Sequence, residues 1–303
     1  MKPLEASLSR LFELEITTVL GCPVACSYCP QGQLAKAKKG RKNLLALDDF
    51  KKAIDNIDME IGLAWTGYSE PCLCPDLGEM LEYTKTNKKI IQQITSTTLT
   101  GRKESIEKMI TFDGWTTLSL HLPDTDKLMR GINVDTNYAE LLEYTLFYRL
   151  RILKQQKNTR IICFGDKLHP DLEKVINKYC NQGLLDRKFV KVRGEVSTRS
   201  GGLKTKDLKN VLDFVDTPEI DKKNENQTFY YCNKEKLNQP CLLPDGDMNI
   251  CSFDYGLRNT YGNLFENKLS TVFINWIKEN QKTYLEGKLS PCTQCEHYVP
   301  YKK

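Results

Sequence analysis

The chain has 303 residues, 40% of them hydrophobic and 27% charged, which suits one large domain or one domain with a small appendage and excludes extended disorder. Its net charge of +5 comes from lysines scattered along the chain rather than from one basic block, which argues against a nucleic-acid partner. No run approaches the ~20 apolar residues of a membrane span. The opening MKPLEASLSRLFELEITT also lacks the apolar core of a signal peptide, so a cytoplasmic protein with no membrane partner is expected.

In chain order, residues 12–18 alternate and are β-branched, which predicts a strand, and a cysteine loop follows at once. Helical spacing covers 47–58, with Asp48 as its cap. The apolar run 61–66 predicts a second strand that ends in GYSEP. Helices over 76–87, 103–110, 137–153 and 170–182 then alternate with strands over 89–96, 115–121, 159–164 and 188–195.

Six strands alternating with helices predict an α/β fold, a partial (β/α)6 barrel of parallel strands joined by right-handed crossovers. Ligands of such folds bind at the C-terminal ends of the strands, where Cys22–Cys29, Gly67–Glu70, Thr95–Thr98 and His121–Asp124 all fall. Beyond residue 200 the pattern breaks. A hairpin around Pro244-Asp245-Gly246-Asp247, a helix over 269–287 and a terminal Cys-x-x-Cys complete the chain.

Twelve cysteines in a reducing compartment point to metal or catalysis rather than disulfides. Cys22, Cys26 and Cys29 place three soft thiolate ligands within eight residues. A structural zinc site normally closes with four ligands, often as two short pairs, and this group has no adjacent histidine. Three ligands on a four-iron cluster leave one iron open.

This CxxxCxxC loop after the first strand of a βα series resembles that of the radical S-adenosylmethionine superfamily, and the resemblance covers nearly the whole chain. It implies that Cys22, Cys26 and Cys29 bind a [4Fe-4S] cluster whose open iron chelates S-adenosylmethionine (AdoMet). Reduction then releases a 5′-deoxyadenosyl radical. It places Tyr28 near the adenine. Gly67-Tyr68-Ser69-Glu70 looks like the family's GGE-type motif for the methionine amino group, with Tyr68 in place of the second glycine and Ser69 inserted. Glu70 would accept from the ammonium. The resemblance also implies ribose contacts from the Thr95–Thr98 run, Thr97 among them, and contacts to the nucleoside and carboxylate from Ser197 and Arg199.

Thirteen residues separate Cys232 from Gly246 and four separate Gly246 from Cys251, with Cys292 and Cys295 much later. This resembles a SPASM domain in its shortened twitch form, which implies a second [4Fe-4S] cluster on Cys232, Cys251, Cys292 and Cys295. A zinc ribbon is the alternative for this half. Cys241 lies too close to Gly246 for that spacing and is a candidate thiol hydrogen donor, as are Cys72 and Cys74. His121 and Asp124 are candidate proton acceptors.

The expected organisation is a radical domain over 1–203 and an auxiliary cluster domain over 204–303. The expected activity is oxidation, in preference to epimerisation, of a small polar, sugar-like molecule. The alternative is modification of a ribosomally made peptide. A flavodoxin or ferredoxin would supply electrons.

Overall fold

The computed structural model describes residues 11–192, 196–197, 199–200, 202–203, 214–215, 230–232 and 236–300. Strand β1 (Glu13–Ile16) is the first described element and is followed by the cysteine loop and the short helix α1 (Gln31–Ala37). The βα series continues as α2 (Leu47–Asp55), β2 (Ile61–Trp65), α3 (Leu77–Thr84), β3 (Ile90–Thr97), α4 (Lys103–Thr111) and β4 (Thr117–His121). It closes with α5 (Thr136–Phe147), β5 (Thr159–Cys163), α6 (Pro170–Asn181) and β6 (Val190–Val192). The six strands pair in chain order and in parallel, as the alternation predicts.

Two details differ from the sequence expectation. Ala46, not Asp48, is the N-cap of α2, and Asp48 and Asp49 sit in its first turn, where carboxylates favour the helix dipole. α1 has no side-chain cap and buries only Leu34, so no local signal announces it. It is tied by tertiary contact: Gln31 Nε2 donates to the carbonyl of Tyr68 across 3.2 Å.

The C-terminal half adds to this same sheet. After the short pair β7 (Val196–Ser197) and β8 (Phe214–Val215) come β9 (Tyr230–Cys232), β10 (Cys241–Leu242), β11 (Asp247–Asn249) and β12 (Thr260–Asn263), then α7 (Leu269–Leu285) and β13 (Tyr298–Pro300). β10 lies parallel to β1, with Glu15 opposite Cys241, and β11 and β12 extend the edge antiparallel. The hairpin turn at 243–246 forms as expected. Gly246 holds φ +90°, and a Cβ there would meet Asn263 Oδ1 at 2.5 Å.

Strand alternation decides what each face meets. Leu14 and Ile16 of β1, Leu63 and Trp65 of β2, and Leu118 and Leu120 of β4 are buried in the core shared with the helices. Glu13 and Glu15 of β1, Ala64 of β2, Ile94 and Ser96 of β3, and His121 of β4 take the opposite face and line the lumen.

Candidate active site

A cavity of about 300 Å³ opens at the C-terminal ends of the strands. Cys22, Cys26, Cys29 and Tyr28 line it from the cysteine loop, Gly67–Glu70 from the loop after β2, and Thr97 and Thr98 from the end of β3. His121 closes β4, and Arg199 with Tyr255 arrives from the second half of the chain. The sequence motifs thus meet in one place.

The cysteine loop has no regular structure of its own, and its neighbours hold it. Ser27 N donates to Leu128 O (2.8 Å) and Gly131 N donates to Val24 O (2.7 Å), both from the loop after β4. A Cβ on Gly131 would lie 2.3 Å from Pro23 O, so only glycine permits this approach. Ser69 Oγ donates to Gly21 O (2.9 Å) and ties in the loop after β2. The Cys29 thiol is held below its ordinary range, first by its hydrogen bond with Cys26 and then by the charge of Arg199. Tyr28 is buried with its hydroxyl beside the Cys26 and Cys29 thiols and its ring 4.6 Å from that of Phe164.

Gly67 carries φ +61°, and a Cβ on it would stand 2.1 Å from Thr17 Oγ1. This glycine is therefore required by the close approach of the loop to the end of β1. Glu70 is only 3% exposed. Its Oε1 accepts from Thr97 Oγ1 (2.7 Å) and Cys72 N (3.3 Å), and its Oε2 from Thr98 N and Thr98 Oγ1, both at 2.7 Å. Four donors fill the acceptor sites of a carboxylate. The Glu70 carboxylate thus binds the β2 and β3 loops to one another, and the residue also lines the cavity in which an ammonium contact was expected. Burial pushes its pKa up, against the pull of these donors. The Thr97 hydroxyl, expected on a ribose, is engaged with Glu70 in the same way.

Four other expectations are restricted by where the structure places the residues. Cys241 shares the sheet face of its cross-strand partner Glu15, but it is fully buried beneath Leu20, Leu34 and Tyr68 in an apolar cluster and is not among the residues that line the cavity. Asp124 is also outside the cavity lining. Its Oδ1 accepts from Leu128 N (3.2 Å), so it shapes the loop after β4, and burial raises its pKa. The backbone of Ser197 lies in β7, and its side chain is outside the described residues. Cys72 and Cys74 are fully buried core residues against Met109 and Met80. Among the described residues, the cavity-lining thiols are those of Cys22, Cys26 and Cys29.

His121 does line the cavity, edge-on to Phe164 at 5.3 Å. Burial and then the charge of Arg199 push its pKa down to about 4, so the imidazole is neutral at neutral pH. Arg199 lies 4.7 Å over the ring of Phe253. Glu13 and Glu15 were missed as site residues. Their signal was present in the sequence, since two carboxylates in a strand of a parallel sheet covered on both faces need a reason. Glu15 accepts from Ser252 Oγ (2.8 Å) and Thr66 Oγ1 (3.0 Å).

A second pocket, lined by Cys232, Cys251, Cys292 and Cys295, lies beside Ser200, Phe253 and His297. β9 brings Cys232 opposite Tyr298 of β13, and Phe253 N donates to Cys251 Sγ (3.3 Å). Arg258 fastens the surrounding loops: Nε pairs with the buried Asp254 (2.9 Å), Nη1 donates to Gln294 (2.9 Å) and Nη2 to Ser200 O (3.3 Å). Among the described residues no group of three or more His, Cys, Asp or Glu side chains is already arranged around one metal ion. Four cysteines around one pocket are a ligand set that suits an iron–sulfur cluster or a zinc ion. Among the same residues no helix is long and apolar enough to cross a membrane.

No protein-family model matches the chain, and no curated protein does. Among solved structures it is similar to BtrN in complex with AdoMet and 2-DOIA, with a TM-score of 0.55 and 15% identity over 95% of this chain and 94% of BtrN. It is also similar to SuiB of Streptococcus suis bound to precursor peptide SuiA (TM-score 0.59, 19% identity, 95% of this chain and 70% of SuiB). SuiB is known bound to S-adenosylmethionine as well. A third similar structure is anSMEcpe with bound AdoMet and Cp18Cys peptide (TM-score 0.52, 14% identity, 94% of this chain and 86% of anSMEcpe). The chain has the fold of these proteins, which is the fold of radical S-adenosylmethionine enzymes with a SPASM/twitch-type C-terminal domain.

Proposed function

We propose that this chain is a radical S-adenosylmethionine oxidoreductase. Cys22, Cys26 and Cys29 would hold one four-iron cluster, and Cys232, Cys251, Cys292 and Cys295 a second. The radical domain would end near residue 203. The observation that carries this reading is the convergence of the three-cysteine loop, the Gly67–Glu70 loop and the end of β3 on one cavity, with four further cysteines around a pocket beyond Phe253. When bound and reduced, by a flavodoxin or ferredoxin, the first cluster supplies the electron that cleaves AdoMet to a 5′-deoxyadenosyl radical. The protein's own part is to bind, orient and manage protons. Tyr28 and Phe164 offer an aromatic wall for the adenine. The Gly67–Glu70 backbone, fixed by the Glu70 carboxylate, lines the cavity where the methionine end would lie. Arg199 supplies a cation for a carboxylate.

The polar lumen supports a small hydroxyl- or amine-bearing substrate, since Glu13, Glu15, Ser96, Thr66 and His121 line a cavity of limited volume. Oxidation is favoured over epimerisation. Epimerisation by a thiol needs a cysteine that lines the cavity and holds no metal, and Cys241, Cys72 and Cys74 are buried outside its lining. His121, neutral and lining the cavity, is the group placed to take the proton. A peptide substrate is the second reading, favoured by the peptides bound to SuiB and anSMEcpe. The test is anaerobic reconstitution followed by reduction with AdoMet. Two four-iron clusters and release of 5′-deoxyadenosine are expected, and a protein that binds iron but leaves AdoMet intact would refute the proposal.

A further inference from the structure

The two cysteine groups are joined by a hydrogen bond that no motif announces. Tyr255 lies four residues after Cys251, a cysteine of the second group, yet its hydroxyl donates to Sγ of Cys29 in the first, across 3.6 Å. That distance is ordinary for a sulfur acceptor, whose radius exceeds that of oxygen. Tyr255 is 4% exposed, and its ring packs edge-on against Tyr68 at 5.1 Å. The hydroxyl is thus held on the sulfur by packing and has little freedom to turn away.

Hydrogen bonds to cysteine sulfurs are among the protein's means of setting the potential of an iron–sulfur site, because they offset the negative charge that reduction adds. A phenol bonded to one of only three thiolates therefore favours the reduced state. We infer that Tyr255 is a positioning residue that raises the reduction potential of the cluster on Cys22, Cys26 and Cys29, so that the C-terminal half tunes the radical site directly. This rests on the proposed function, since it needs a cluster on those three cysteines.

The test is a redox titration of the reconstituted protein followed by electron paramagnetic resonance, reading the signal that AdoMet perturbs. Tyr255→Phe keeps the ring and removes the donor, and should lower the midpoint of that signal while leaving the other cluster's midpoint in place. Tyr83→Phe, which removes an exposed phenol hydroxyl bonded to Asp55 and lining neither pocket, should leave both midpoints unchanged. If Tyr255→Phe fails to assemble, 3-fluorotyrosine at position 255, a stronger donor of the same shape, should raise the midpoint. An unchanged midpoint in the Tyr255 variants, or an equal shift in Tyr83→Phe, overturns the inference. A wild-type protein with no AdoMet-sensitive signal refutes the proposed function itself, and this inference with it.

Discussion

The hydroxyl of Tyr68 donates to the carbonyl of Cys251 across 2.7 Å, and Asn249 Nδ2 donates to that same hydroxyl. One side chain from the loop after β2 thereby anchors the loop that carries a C-terminal cysteine, 183 residues away in sequence. Tyr68→Phe removes the shorter bonds of a buried carbonyl and a buried amide and leaves only the longer contacts of Asn249 Nδ2 to Cys251 O (3.4 Å) and Asp254 O (3.3 Å). The expected loss is about 1–3 kcal/mol of folding stability, measured by chemical denaturation. A variant as stable as the wild type would show that the two loops are held together by packing alone.

Removing the ligands separates the two sites. The triple variant of Cys22, Cys26 and Cys29 to Ala should keep about four of about eight irons and release no 5′-deoxyadenosine. Cys232→Ala should lose iron from the C-terminal pocket, which Cys232 lines. Cys241→Ala should keep its full iron content, because Cys241 packs against Leu20 and Leu34. Iron analysis of the purified variants decides between Cys232 and Cys241, and loss of iron from the Cys241 variant would reverse the assignment.

Glu70 connects the site to the fold in a different way. Its four accepted hydrogen bonds hold the loop after β2 against Thr97 and Thr98. Glu70→Ala orphans buried donors and loosens the loop that faces the ligand. Weakening of AdoMet binding by roughly ten- to a hundredfold is expected, corresponding to about 1.5–3 kcal/mol. Equilibrium dialysis of the reconstituted protein against AdoMet measures it. Unaltered affinity would mean that the loop keeps its shape without the carboxylate.

The barrel was legible because each βα unit carries its own period, and β1 to β6 needed only local alternation and chain order. The meeting of the motifs was legible for the same reason, since strand ends in a parallel sheet point the same way. What escaped depends on distant partners. β10 pairs only Cys241 and Leu242 with β1, too short a run for any local pattern. The roles of Glu70 and Cys241 turned on which neighbour reached them first, Thr97 and Thr98 in one case and an apolar cluster in the other. Tyr255 was invisible because its partner Cys29 lies 226 residues away in sequence.

His121 gives the protein a pH dependence of definite sign. Burial lowers its pKa from 6.5 to about 4 in the folded state. Between those values the unfolded chain binds a proton that the folded chain does not, so stability falls as pH drops through the window and is unaffected by this group above 6.5. The slope from one such group is at most about 1.4 kcal/mol per pH unit. Denaturation curves from pH 7.5 to 5 should be flatter for His121→Phe than for the wild type, and parallel curves would show that the imidazole is not held neutral.

Turnover in deuterium oxide tests the chemistry that the cavity favours. After hydrogen abstraction, a substrate carbon radical leaves the site in one of two ways. If it loses an electron and a proton, a cluster held by Cys232, Cys251, Cys292 and Cys295 would supply an acceptor for the electron, and His121 would take the proton. The product is then two mass units lighter than the substrate, and solvent deuterium does not appear on carbon. If a thiol returns a hydrogen from the opposite face, the carbon is inverted and carries one deuterium, because a thiol exchanges its hydrogen with water. Among the described residues every thiol that lines the cavity belongs to the three-cysteine group, and ligand thiolates have no hydrogen to give. The oxidised, deuterium-free product is therefore expected. Slower formation of it by His121→Phe, with AdoMet cleavage retained, would place the proton on the imidazole. Deuterium at an inverted carbon would require a cysteine to turn into the cavity, and loss of that label in Cys241→Ala would identify it.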